Sequence, residues 1–345
     1  MKKIINLILA LLLSVAVNAQ FNADRDPFLT KSLSGESLQE VYARTSGGAI
    51  TVSGVAANEA RIEVYVEPNN NRNDLSKEEI KRRLEEDYEM NVSVSGGKLT
   101  AIAKPKHDNM NWKRNLSISF KVYVSKNVST DLNTSGGGIT LTNLSGTHDF
   151  ATSGGGLHIE KLSGKIKGRT SGGGITVSDT RDDINLSTSG GGIDADNCSG
   201  NIILSTSGGS INLNGLEGTI SARTSGGPIR GDEIKGELEA NTSGGSVSLR
   251  NLAGSVDAST SGGNMDIEIA ELGKYVTASN TGGNIRLKMP GNKGVNLKLR
   301  GEHIKMDALN NFSGEQDEHN VTGKINGGGI PVDVHTSGSI TLAFQ

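Results

Sequence analysis

The chain has 345 residues and a formal net charge of −3, with lysines and arginines interspersed among acids. That balance gives no electrostatic footprint for nucleic acid and no basic run for an anionic membrane surface. Glycine stands at 47 residues, proline at 6 and aromatics at 3%; without a Gly-X-Y period collagen is excluded, and any core is thin and built from Ile, Leu, Val and Ala.

The opening "MKKIINLILALLLSVAVNAQ" predicts a signal peptide over residues 1–19. Lys2 and Lys3 form its basic start, Ile4 to Val17 its apolar stretch, and Val17-Asn18-Ala19 a small-residue cleavage site. The apolar run is about fourteen residues, short for a spanning helix. A mature chain from Gln20 is expected to be exported to the periplasm, the outer surface or the medium. No cysteine near the cleavage site suggests a lipid anchor, and no later segment is long and apolar enough to span a bilayer.

An N-terminal segment, residues 20–40, leads into irregular coils over 41–133. "RTSGGAITVSG" and "VSVSGGKLTAIAKPK" read as degenerate coils. Between them "DLSKEEIKRRLEEDYEM" predicts an inserted helix over 75–90. A capping box from Ser76 to Glu79 starts it, and Leu75, Ile80, Leu84 and Tyr88 share one face, so it reads as a cover over that end. "KHDNMNWKRN" holds the only tryptophan, Trp112, beside Lys113 and Arg114. These three are the candidate partner contacts, although packing of Trp112 over the end coil is the stronger reading. "NLSISFKVYVSKNVST" is a longer alternating strand.

A regular array then runs over 134–290. Thr134, Thr152, Thr170, Thr188, Thr206, Thr224, Thr242 and Thr260 each open a Thr-Ser-Gly-Gly element, every interval being 18 residues. Stacked, equivalent coils keep such a register; unrelated loops do not. Counting the Thr as zero, positions five and seven are mostly apolar, as are fourteen and sixteen, so each repeat carries two short alternating strands. Leu144, Leu162, Leu216 and Leu252 at position ten plug the turn between them, and position twelve is Gly except at Asp182. The fold class predicted is all-β, a parallel β-solenoid of 18-residue coils with an N-terminal capping helix. Right-handed winding is the default for parallel crossovers. A left-handed hexapeptide helix is rejected, because the apolar positions do not recur every six residues. If positions fourteen and sixteen face inward, so do the eight threonines, as a corner ladder bonded along the stack. Ser at the next position then faces out, and Gly-Gly supplies freedom for the bend. After Thr260 the period slips to 20. Closing coils run over 291–345, and within them the segment from Gly301 to Phe344 reads as loop, then two last strands.

The tandem "TSGGxI" turns, "SISFKVYVSKNVSTDLNTSGGGITL" and the ending "GKINGGGIPVDVHTSGSITLAF" resemble the bacterial putative-adhesin family of exported, glycine-rich β-solenoid domains. The resemblance covers roughly Val41 to Gln345 and implies this fold. It brings no catalytic residues with it.

Sites for chemistry fare poorly. "TSGGGI" lacks a P-loop lysine and is followed by strand, not helix. A calcium β-roll needs a carboxylate in every turn, whereas Asp194 and Asp196 are matched elsewhere by Thr140 and Thr142 or by His158 and Glu160. "SGGK" at Ser95 to Lys98 sits in a turn, where an acylation pair does not form. His303, Asp317, Glu318 and His319 are the one group that a C-terminal loop could gather. Cys198 is the only cysteine, so no internal disulfide forms, and it reads as a small buried hydrophobe. Outward position six shows no ordered threonine column for ice, and equal coils leave no long loops to wall an enzyme cleft. The function expected is therefore non-enzymatic, with no cofactor and no metal: an adhesin or surface binding protein whose partner is a glycan or a surface protein. The alternative is an envelope scaffold that self-associates through the solenoid ends, and a polysaccharide-active enzyme is the minor one.

Overall fold

The computed structural model describes residues 26–69, 75–107, 114–308 and 311–345. The expected signal peptide, Trp112 and Lys113 lie outside the described residues. Among the described residues, twenty-nine strands join into one hydrogen-bonded sheet that is mostly parallel. In the array it runs as two ladders. The long strand Ser163–Thr170 pairs in parallel with Ser145–Thr152 before it and Arg181–Thr188 after it. The short strand Ile175–Ser178 pairs likewise with Leu157–Glu160 and Ile193–Asp196. In each case the partner residue lies 18 positions away, as in Ile166 to Ile184 and Ile175 to Ile193.

The sequence folds this way because alternate residues of each strand are apolar and meet across a narrow interior. Ile175, Val177, Ile184 and Leu186 are all buried, and so are the turn-plug residues from Leu144 to Leu252, including Thr180, Cys198 and Ile234. Each buried Leu or Ile contributes roughly 1.5–3 kcal/mol, too little for a lone coil against the cost of ordering it, so neighbours stabilise one another. Packing along the stack is complementary in size. A β-carbon on Gly168 would lie 2.4 Å from the Phe150 ring, so the glycine makes room for the one large aromatic in that column of the array.

The turn between the ladders holds a feature the repeat pattern did not announce. Asn143, Lys161, Asp179, Asn197, Gly215, Glu233 and Asn251, all at position nine, are left-handed with φ between 50° and 63°. Position twelve also has positive φ, and there the exception Asp182 (φ 83°) places its carboxylate to accept the Gly164 N–H at 2.9 Å.

The Gly-Gly corner differs from the sequence expectation. None of its glycines in the array has positive φ among the described residues. Their role is close approach. A β-carbon on Gly155 would lie 2.1 Å from the Gly137 carbonyl oxygen, and one on Gly173 at the same distance from that of Gly155. The preceding glycine is less constrained, since a β-carbon on Gly154 would be 3.5 Å from its nearest neighbours.

The ends replace parallel coils with antiparallel strands. At the start, Arg61–Pro68 pairs antiparallel with Leu116–Val124, Leu29–Ser32 with Arg61–Pro68's other edge, and Tyr88–Ser95 with Lys98–Pro105. At the close, Asn320–Ile325 lies antiparallel between Val295–Arg300 and Phe312–Gln316. The segment expected to be loop followed by two strands therefore carries five, from His303–Met306 to Ser339–Phe344. The extra three are only four to six residues long, and Phe312–Gln316 is exposed beyond its first residue, so each is too short a pattern to stand out as a strand in sequence. The helix spans Lys77–Asp87, with the Ser76 hydroxyl accepting the Glu79 N–H at 3.2 Å. Tyr88 leaves it for a strand, and its hydroxyl accepts from the Leu116 N–H at 2.8 Å.

Candidate functional site

The predicted corner residues form a structural device. Thr152 is buried, and its hydroxyl donates to the Gly137 carbonyl of the preceding coil at 2.7 Å. Gly155, three residues on, packs against that same oxygen and sends its own N–H back to Thr152 Oγ1 at 3.3 Å. Thr170, Thr188, Thr206, Thr224, Thr242 and Thr260 repeat the bond to Gly155, Gly173, Gly191, Gly209, Gly227 and Gly245, at 2.7–2.9 Å. Thr134 makes it to Gly48 at 2.8 Å. The Thr-x-x-Gly spacing thus satisfies one carbonyl at the corner and lets the next backbone sit on it. Where the period slips, Asn280 substitutes, donating from Nδ2 to the Gly263 carbonyl at 2.7 Å.

Of the candidate partner contacts, only Arg114 is described. It ties the C-terminal end of the helix to the solenoid, binding Asp87 at 2.9 Å and Glu86 at 2.8 Å. The C-terminal histidine group does gather. His303 Nδ1 is 2.7 Å from Glu318, the His303 and His319 rings are 6.3 Å apart, and Asp317 accepts the His319 N–H. No set of three His, Cys, Asp or Glu side chains fit to hold a metal occurs among the described residues.

Two outward regions were missed in sequence. The first is an open depression of about 510 Å³ on the short-strand ladder. Asp194, Asp196, Asp232, Arg230 and Arg250 line it. Asn212 donates to Asp194 at 2.6 Å and Asn214 to Asp196 at 3.1 Å, which fixes both carboxylates. Arg230 and Arg250 are exposed and make no ion pair among the described residues. Residue types read along one column showed no order. The grouping arises only when the two outward columns are laid side by side.

The second lies on the long-strand ladder, at the slipped coil. The register jumps from Gly254–Leu272 to Val256–Val276. The extra residues swing Tyr275 across two coils, where its hydroxyl donates to Glu237 at 2.6 Å. That hydrogen bond, with burial, pushes the phenol up to about 12. Beside it, Glu239 accepts from Arg223 and Asn241 at 2.6 and 2.7 Å. Burial first, then the neighbouring Glu239, raises the Asp257 carboxyl above its usual range. The slip to 20 residues was the available signal. At the other end two half-buried tyrosines are engaged by the chain's own cations, Arg61 over Tyr123 at 3.9 Å and Arg44 over Tyr42 at 4.2 Å.

These features define a predominantly β repeat protein whose polar groups are displayed on long open faces. Among the described residues no helix is long and apolar enough to cross a membrane. A family model described as Toastrack DUF4097 matches residues 174–343, just under half of the chain. No curated protein matches. Among solved structures, a putative cell adhesion protein from Clostridium sporogenes ATCC 15579 aligns over 92% of this chain and 98% of its own. It is 12% identical with a TM-score of 0.22, a likeness too slight to carry an argument.

Proposed function

We propose that the protein is an exported, non-enzymatic β-solenoid that binds a glycan, or a glycosylated surface protein, along the outer face of its short-strand ladder. The observation that carries this is the depression around Asp194, Asp196, Arg230 and Arg250. Its carboxylates are held by Asn212 and Asn214, so they are preorganised acceptors for sugar hydroxyls, while the exposed guanidinium groups offer planar donors to a carboxylate or sulfate. A shallow, rigid, polar face gives many modest contacts instead of one deep pocket, which suits an extended chain. Coils of 18 residues wound right-handedly belong to the same reading, as does Trp112 with Lys113 as a secondary contact. The test is a glycan array probed with the purified protein and with Arg230→Ala/Arg250→Ala. Both side chains are exposed and make no ion pair among the described residues, so folding is retained, and affinity for acidic glycans is expected to fall about tenfold or more. Equal binding by the double variant, or release of new sugar ends on incubation with the glycan, would overturn the proposal.

A further inference from the structure

We propose that the strand Tyr88–Ser95 pairs antiparallel with the same strand of a second copy, joining two solenoids at their N-terminal ends about a two-fold axis at Val92. This goes beyond the glycan-binding reading and stands independently of it.

Among the described residues, the ends of the two ladders leave four strands paired on one side only. A free edge offers N–H and C=O groups to another chain, and folded proteins block it with shortness, inward charge, irregularity or a cover. Three of the four are blocked. Leu29–Ser32 has four residues, and Lys31 stands opposite the buried Ile62, placing a charge on the inward side. His303–Met306 is equally short, and the Ile304 N–H is already taken by the Glu318 carbonyl at 2.9 Å. Phe312–Gln316 is exposed at all positions but Phe312.

Among the described residues, Tyr88–Ser95 has none of these devices beyond Tyr88, where the helix joins it. It is eight residues long, without Pro, Gly or Lys, and runs in unbroken register against Lys98–Pro105. Its inward residues Met90, Val92 and Val94 lie opposite Ala103, Ala101 and Leu99. Those three partners are buried, whereas Met90, Val92 and Val94 are only partly covered. The interior of the solenoid therefore ends here on an apolar row that is half open. The helix joins this strand at Tyr88, and the strand Lys98–Pro105 leaves at the same end, so both connections are attached away from Val92 to Ser95.

A second copy is the occupant because the strand complements itself. Side-chain direction alternates, so the pairing must set inward residues against inward residues. Of the two-fold arrangements that do so, the axis at Val92 alone pairs all three apolar residues with one another. Met90 then opposes the second copy's Val94, and Val92 opposes its equivalent. On the outer face Asn91 meets Ser93, and the only charge, Glu89, meets Ser95, so no like charges oppose.

Two measurements test this. Sedimentation velocity of the purified protein should show a reversible dimer, and Val92→Lys, which sets two lysines face to face, should weaken it at least tenfold. In oxidative cross-linking with copper-phenanthroline, Val92→Cys should give a disulfide dimer, because its β-carbon lies next to its own symmetry mate, whereas Val94→Cys should not. Cys198 is buried and its thiol pushed up to about 11, so it stays out of this chemistry. A monomeric wild type, a dimer undiminished in a folded Val92→Lys protein, or cross-linking at residue 94 as ready as at residue 92 would each overturn the proposal.

Discussion

The buried His148 is expected to make one defined coil acid-sensitive. Its column otherwise holds Ile166, Ile184, Ile202, Ile220, Leu238 and Val256. His148 is fully buried, its Nδ1 lies 3.0 Å from Thr130 Oγ1, and Nε2 has no partner. Burial drops the imidazole from 6.5 to about 4. The unfolded chain therefore binds a proton that the folded chain refuses, and stability is lost as pH falls from the unfolded value of 6.5 towards 4, being fully present above 6.5. A gap of about 2.5 units corresponds to about 3 kcal/mol in all, most of it already lost at pH 4.5. Hydrogen exchange of the amides in Ser129–Thr134, Ser145–Thr152 and Ser163–Thr170 reads local opening, which suits a repeat array that need not unfold in one step. The comparison is His148→Ile/Thr130→Val, which replaces both partners by the apolar residues of the neighbouring coils. At pH 7.5 the variant and the wild type should agree to about 1 kcal/mol, and at pH 4.5 the variant should be the more protected by about 2–3 kcal/mol. The same difference at both pH values would refute the assignment of the acid sensitivity to His148.

Gly155→Ala should destabilise its coils by more than about 3 kcal/mol in urea unfolding, since the clash is with backbone, while Gly154→Ala should cost less than about 1 kcal/mol. Equal effects would show that the corner needs glycine for flexibility and not for approach. Thr188→Val leaves the Gly173 carbonyl without its donor and should cost about 1–3 kcal/mol by the same assay, with Thr188→Ser recovering most of it. Glu233 is an exposed, left-handed residue at a position where another coil uses Gly215, so Glu233→Gly should leave stability unchanged or raise it by up to about 1 kcal/mol in thermal melts. A Tm lowered by several degrees would contradict that.

Much of the fold could be read from the chain, because coil-to-coil contacts recur at one spacing and each residue meets its own equivalent. The alternation at positions five, seven, fourteen and sixteen marks which side chains face each other, and Ser76 with Glu79 marks where the helix begins. Other features carry no such periodic signature. The left-handed position nine is filled by Asn, Asp, Gly, Lys and Glu in turn, so residue type hides a common backbone state. The depression at Arg230 and Arg250 depends on two outward columns lying side by side, and Tyr275 reaches Glu237 only because two extra residues bulge from the ladder.

The sequence by itself determined the period, the inward parity of its strands and the place of threonine at the corner, since each is a local pattern repeated against itself. Only the tertiary structure decided why that corner is glycine, which charges share a face, how the ends close, and which edge strand stays open. These depend on distances between backbones of successive coils and on breaks in the repeat, where no neighbouring copy of the pattern says what the chain will meet.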